Sequence, residues 1–171
     1  MLIVALAITG PATMMVGGCG GDDSSAVITE STAVSGAPSD TGAAAGGVDG
    51  QALAEEILGT FDELVGKVAE LAAPKPEPAT LAPQLEEVYA SYEATMADLN
   101  SRYLVLRDAD QTAFQDCNRF LSDNRPQHVT AKDDALSESV AYYNLELGDP
   151  EMVSLLSQRP VELLDVAVTQ D

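Results

Sequence analysis

Two apolar stripes separated by a proline-rich linker constrain this chain more than any other feature. Ala54, Ile57, Phe61, Leu64, Val68 and Leu71 recur at steps of three and four residues. That spacing gathers side chains on one face of an α-helix of about 22 residues. The opposite face carries Glu55, Glu56, Asp62, Glu63 and Glu70. Pro74-Lys75-Pro76-Glu77-Pro78 then stops the helix, because proline lacks the backbone donor and restricts the residue before it. A second stripe follows: Leu85, Val88, Tyr92, Met96, Leu99, Tyr103 and Leu106. Two stripes of similar length joined by a short linker predict an antiparallel helical hairpin. Alternation of period two is nowhere sustained, so no strand is expected.

The helical rhythm continues downstream. Asp108 to Leu121 keeps it through Ala113, Phe114, Cys117, Phe120 and Leu121. Asp108 and Gln111 have the spacing of a capping box, which favours a break near Arg107. Leu106, Ala113, Cys117 and Phe120 also stay in register, so one long helix is the competing reading. SDNRPQH, Ser122 to His128, reads as a loop from its turn residues and Pro126. Thr130 and Asp133 resemble an N-cap pair opening a helix with the stripe Leu136, Val140, Tyr143 and Leu147, closed by Gly148. Asp149-Pro150-Glu151 has the order of a short helix start, and Pro160 begins a last helix through Val161, Leu164 and Val168. The expected fold is all-α. An antiparallel helical hairpin extends into a small helical bundle over residues 51–171, long enough for a single core.

Ahead of that domain the composition changes. Gly20 to Gly50 is rich in Gly, Ala, Ser and Thr, with five acids and no basic residue. It lacks aromatics and any apolar period, so burial cannot offset the entropy of ordering it. It reads as a disordered tether with an end-to-end distance of roughly 30 Å. Charge is lopsided across the whole chain, with 28 Asp and Glu against 8 Lys and Arg, a formal net of −20. Such a surface repels phosphate, which excludes nucleic acid as a partner and disfavours docking on anionic headgroups.

The leader explains what the tether is tied to. Leu2 to Thr9 is apolar and Gly10-Pro11 interrupts it, leaving it too short to span a bilayer but suited to an export signal. Its n-region holds no Lys or Arg, which points to a start codon upstream. Val16-Gly17-Gly18-Cys19 resembles the lipobox of bacterial lipoproteins: an aliphatic residue, two small residues and a cysteine. The resemblance covers about the first 20 residues. It implies a signal peptide over 1–18, cleavage between Gly18 and Cys19, diacylglyceryl attachment to the Cys19 sulfur, and a tether over 19–50. It also implies a membrane partner through the lipid, with Gly20 after the cysteine directing the protein to the outer membrane, facing the periplasm, in a diderm cell.

Residues able to do chemistry are few. Cys117 is the one thiol left once Cys19 is lipidated, and its place on an apolar stripe beside Phe114, Phe120 and Leu121 marks it for packing. His128 reads as a surface or capping residue of a polar loop, with no Cys/His cluster or HExxH pair beside it. Asp108-x-Asp110 and Asp133-Asp134 read as helix caps, because the calcium-loop spacing is absent. No nucleophile elbow, phosphate loop or dinucleotide fingerprint occurs in the helical region. The expectation is therefore a non-enzymatic lipoprotein of the cell envelope with no catalytic residue, cofactor or metal. It would bind an envelope protein or the cell wall, through a groove between the two long helices and through Tyr89 and Tyr142. The alternative is an envelope protein that binds a small ligand or cation through its surface carboxylates.

Overall fold

The computed structural model describes residues 49–170. The expected signal peptide, Gly18, Cys19 and the tether up to residue 48 lie outside the described residues. Those that are described form five α-helices and one π-helical turn, with no strand among them. The helices are α1 (Gly50–Ala72), α2 (Pro78–Ala109), α3 (Gln111–Ala141), α4 (Pro150–Ser157) and α5 (Arg159–Val168), and the π turn is Tyr142–Glu146.

The helical region starts slightly earlier than expected. Asp49 caps α1, its carboxylate accepting from the N–H groups of Gln51 at 3.0 Å and Ala52 at 3.4 Å. Gly50 is buried, and a β-carbon there would fall 1.8 Å from the Ala113 carbonyl oxygen. The backbones of α1 and α3 thus meet at their N-termini, and the two residues assigned to the tether belong to the fold. Further along, Asp62 meets His128 and the Ser139 hydroxyl donates to the Ala72 carbonyl. α1 and α3 therefore run parallel.

α2 runs antiparallel to α1, with Arg102 gripping Glu56 through two bonds of 2.6 Å and Lys67 lying over the Tyr92 ring. The expected hairpin is present. Its linker is held by Tyr143, whose hydroxyl donates to the Pro76 carbonyl at 2.7 Å. α2 and α3 are separate helices, as the favoured break near Arg107 anticipates. The breaking residue is Asp110, with φ −144° and a carboxylate capping Thr112 and Ala113 at 3.0 Å. Asp108 instead pairs with Arg107.

Three expectations fail downstream. Ser122–His128 is not a loop, because α3 runs straight through Pro126. Proline inside a helix costs about 3 kcal/mol, and partners on both sides offset it: Arg125 pairs with Asp165, His128 with Asp62, and Leu121 and Leu136 are buried. Thr130 and Asp133 do not start a helix. The Thr130 hydroxyl donates to the Pro126 carbonyl, and Asp133 sits beside Lys132 in mid-helix. Leu147 leaves the core, 44 % exposed, since the wide π turn upstream changes the phase at which side chains face inward. Gly148 closes this stretch with φ +60°, as its expected C-terminal place requires.

Asp149 caps α4 through the Met152 N–H at 2.9 Å, and α5 follows Pro160. Together they return along α2 and α3. Tyr89 donates to the Leu155 carbonyl, Lys132 to the Ser157 carbonyl, and Asn100 to the Thr169 carbonyl. The result is an up-down-up-down bundle whose fourth arm is two short helices. Its core runs from Leu53, Ile57, Phe61 and Leu64 through Leu85, Met96 and Tyr103 to Leu156 and Leu163. Each fully buried side chain of this size contributes about 1.5–3 kcal/mol.

Candidate functional site

The bundle has two ends. The proximal end, where the upstream residues enter at Asp49, also holds the α2–α3 junction and the last turn of α5. The distal end holds the Ala73–Glu77 linker, the π turn and the start of α4. α1, with 23 residues, sets them about 34 Å apart.

Between α1 and α3 lies an open groove of about 450 Å³ lined by Asp62, Val65, Gly66, His128, Ala131 and Ala135. His128 is not in a loop. It lies half-buried on α3 with Nδ1 2.8 Å from both Asp62 carboxylate oxygens. The groove lining includes no Ser, Thr or Cys. Lys132, 4 % exposed, turns its ammonium to the Ser157 carbonyl and Asp133, both at 2.7 Å. The pair clamps two helices, and the buried lysine fastens α3 to α4.

Cys117 is fully buried among core side chains, and burial pushes its thiol pKa up to about 11. That burial matches the packing role expected from its place on the apolar stripe. Tyr89 does not lie on a partner surface. It is fully buried, with its hydroxyl 2.6 Å from the Leu155 carbonyl. Burial, with Glu86 adding to it, raises its pKa well above the usual tyrosine value. α2 is covered by α1 on one side and by α4 and α5 on another, so its buried face is wider than one stripe and takes Tyr89 in.

Tyr142 is half-buried at the distal end, edge-on to Tyr143 at 5.1 Å between ring centroids, with the Lys75 ammonium 5.6 Å from its own. The seam between the two long helices, expected as a docking groove, is closed over by Arg102–Glu56 and by Lys67 on Tyr92. The carboxylates of Asp49, Asp116 and Asp123 share a hollow of about 370 Å³, but Arg119 stands among them and pairs with Asp116. Asp133 and Asp134 lie within α3, away from any helix start. Among the described residues, no three His, Cys, Asp or Glu side chains are grouped to hold a metal ion, and no helix is long and apolar enough to cross a membrane.

Two distal features escape a reading of the sequence. Leu145 is 77 % exposed on the π turn, with Leu147 two residues on. At the same end a cleft of about 180 Å³ opens between α2 and α4, lined by Pro78, Ala79, Ala82, Asp149, Glu151 and Met152. No protein-family model matches this chain, and no curated protein or solved structure matches it either.

Proposed function

We propose that this is a lipid-anchored envelope protein with no catalytic activity, acting as an interaction or structural module at the end of a flexible leash. One observation carries the reading: Val16-Gly17-Gly18-Cys19 follows an apolar leader and precedes a Gly-, Ala-, Ser- and Thr-rich stretch reaching Gly50. Thioether lipidation of Cys19 would confine the helical domain to a bilayer. One acyl chain holds weakly, whereas two or three hold almost permanently, at about 0.8 kcal/mol per buried methylene. In a diderm cell, Gly20 after the cysteine favours the outer membrane, on its periplasmic side.

The charge pattern supports a protein or wall partner over nucleic acid or an anionic lipid surface. Seven of the eight basic side chains are held in ion pairs, and Lys67 rests on the Tyr92 ring. The outward charge is left to the carboxylates. Intact-mass analysis of the processed protein tests the anchor: Cys19 is expected at the N-terminus carrying a diacylglyceryl mass, and Cys19→Ser is expected to move the protein out of the membrane fraction. An unmodified Cys19 sulfur overturns the reading.

A further inference from the structure

Four seams join the arms of the bundle, and three of them are tight. α3 packs along α1, α1 against α2 and α2 against α5, whereas the backbones of α5 and α3 hardly approach each other. A pocket of about 410 Å³ opens in that fourth seam. Its volume falls in the range of small-molecule sites, about 300–1,000 Å³.

The lining follows from the sequence. Asn118, Leu121, Ser122, Arg125 and Pro126 recur at helical spacing, so α3 turns one face to the pocket. Leu164 and Val168, one turn apart on α5, line it as well, as does Tyr103 of α2, which is buried in the core. Two polar clasps bridge the seam. In the first, the Tyr103 hydroxyl donates to Asn118 Oδ1 at 2.6 Å and accepts from the Gln170 side-chain amide at 3.3 Å. In the second, Arg125 pairs with Asp165. Seven residues of α3 separate the clasps, about 10 Å along the helix. The clasps set the spacing of α3 and α5 before anything binds, which lowers the entropy cost of binding.

Charge and polarity select the occupant. Arg125 is the one charged side chain of the lining, and Asp165 takes it up. An anion would have to displace Asp165 on a chain of net charge −20, and a cation would find no carboxylate in the lining. The remaining polar groups are neutral: the hydroxyls of Tyr103 and Ser122 and the amides of Asn118 and Gln170. The bond from exposed Gln170 is the longest of the clasp, so the Tyr103 oxygen is the acceptor most readily given over to a ligand.

We infer that the α3–α5 pocket binds an uncharged small molecule about 10 Å long, with an apolar body and a hydroxyl at one end. The body covers Leu121, Leu164 and Val168. The hydroxyl takes the place of Gln170 on the Tyr103 oxygen and accepts from Ser122. This activity goes beyond the anchored reading and stands whether or not Cys19 is lipidated.

The test is a titration of the full chain with leucine and valine methyls isotope-labelled. The probe is 2-naphthol, set against naphthalene-2-carboxylate and 2-naphthylmethylammonium, which share its ring system and differ in charge. At about 1 mM, 2-naphthol is expected to shift the methyl resonances of Leu121, Leu164 and Val168. Val166, exposed on α5 and outside the lining, is expected to stay in place. The two ions are expected to bind at least tenfold more weakly. Ser122→Trp, at an exposed position, is expected to fill the pocket and weaken 2-naphthol at least tenfold with an unchanged melting curve. Tyr103→Phe is expected to weaken it severalfold. No shift at that concentration overturns the inference, as do equal binding of either ion, shifts centred on Val65 in the α1–α3 groove, or full affinity in Ser122→Trp.

Discussion

The two ends of the bundle are finished differently. At the proximal end every chain segment is tied down by polar or backbone contact. Asp49 caps α1, Gly50 lets α1 touch α3, Asp110 caps α3, and Asn100 and Arg107 donate to the Thr169 and Gln170 carbonyls. At the distal end the linker and the π turn are tied to each other through Tyr143 and Pro76, while leucines are left bare. Carbonyls left without partners are costly, so both ends satisfy them. Each end also leaves two aliphatic side chains bare, Leu145 and Leu147 at the distal end and Val105 and Val166 toward the proximal one.

The proximal end is where a single atom breaks this contrast most sharply. Gly50→Ala would push a β-carbon onto the Ala113 carbonyl, and forcing apart two backbones is expected to cost about 3 kcal/mol. A thermal melt should fall by about 10 °C. Gly59→Ala on the same helix meets nothing within 4 Å and is expected to gain about 0.5–1 kcal/mol from helix propensity alone. If both glycines respond alike, the close contact at Gly50 is wrong.

Tyr143→Phe sharpens the distal side. Removing the hydroxyl leaves the Pro76 carbonyl without its donor and is expected to cost about 1–2 kcal/mol. Amide exchange should quicken at Lys75 and Asp149, whose N–H groups bond to the Ala72 and Tyr143 carbonyls. Unchanged exchange at both amides would mean that the π turn and linker are not coupled.

The smallest effect concerns acid. Arg102, bonded to Glu56, holds that carboxyl below its ordinary pKa of 4.5. A depressed carboxyl stabilises the fold above its unfolded value and loses that contribution as pH falls through the folded one. The pair is exposed, so it is worth a few tenths of a kcal/mol, roughly. Denaturant midpoints of parent and Arg102→Gln should therefore differ slightly at pH 7 and converge below pH 4. A gap that widens on acidification would contradict the sign.

The long regular helices were legible in the sequence, and the reasons are physical. α1 and α2 present stripes broken by prolines, and Asp149-Pro150-Glu151 writes its helix start in three residues. Two local rules misled. Pro126 is a breaker only when nothing holds its flanks, and Asp62, Asp165 and Ser157 hold that stretch of α3 from other elements. Val88 and Tyr89 show the other failure. A stripe drawn for one partner helix selects Val88, while α4 arrives from a second side and buries Tyr89 instead. Of the two tyrosines expected at a partner surface, Tyr89 is buried and Tyr142 is half-buried. Leu145 and Leu147 were hidden because a π turn has no composition signal, and Leu147 in ordinary α phase would point inward.

The proposed lipid anchor, which would bring the proximal end nearer the bilayer than the distal one, meets its most direct test on a membrane. The full chain in nanodiscs, with labelled methyls and a headgroup-borne nitroxide, reports how near each side chain comes to lipid. Val105 near the end of α2 and Val166 near the end of α5 are exposed toward the proximal end. Stronger broadening at Val105 and Val166 than at Leu145 and Leu147 is the expected result. Broadening that is greatest at the two leucines, or absent from all four, would contradict it.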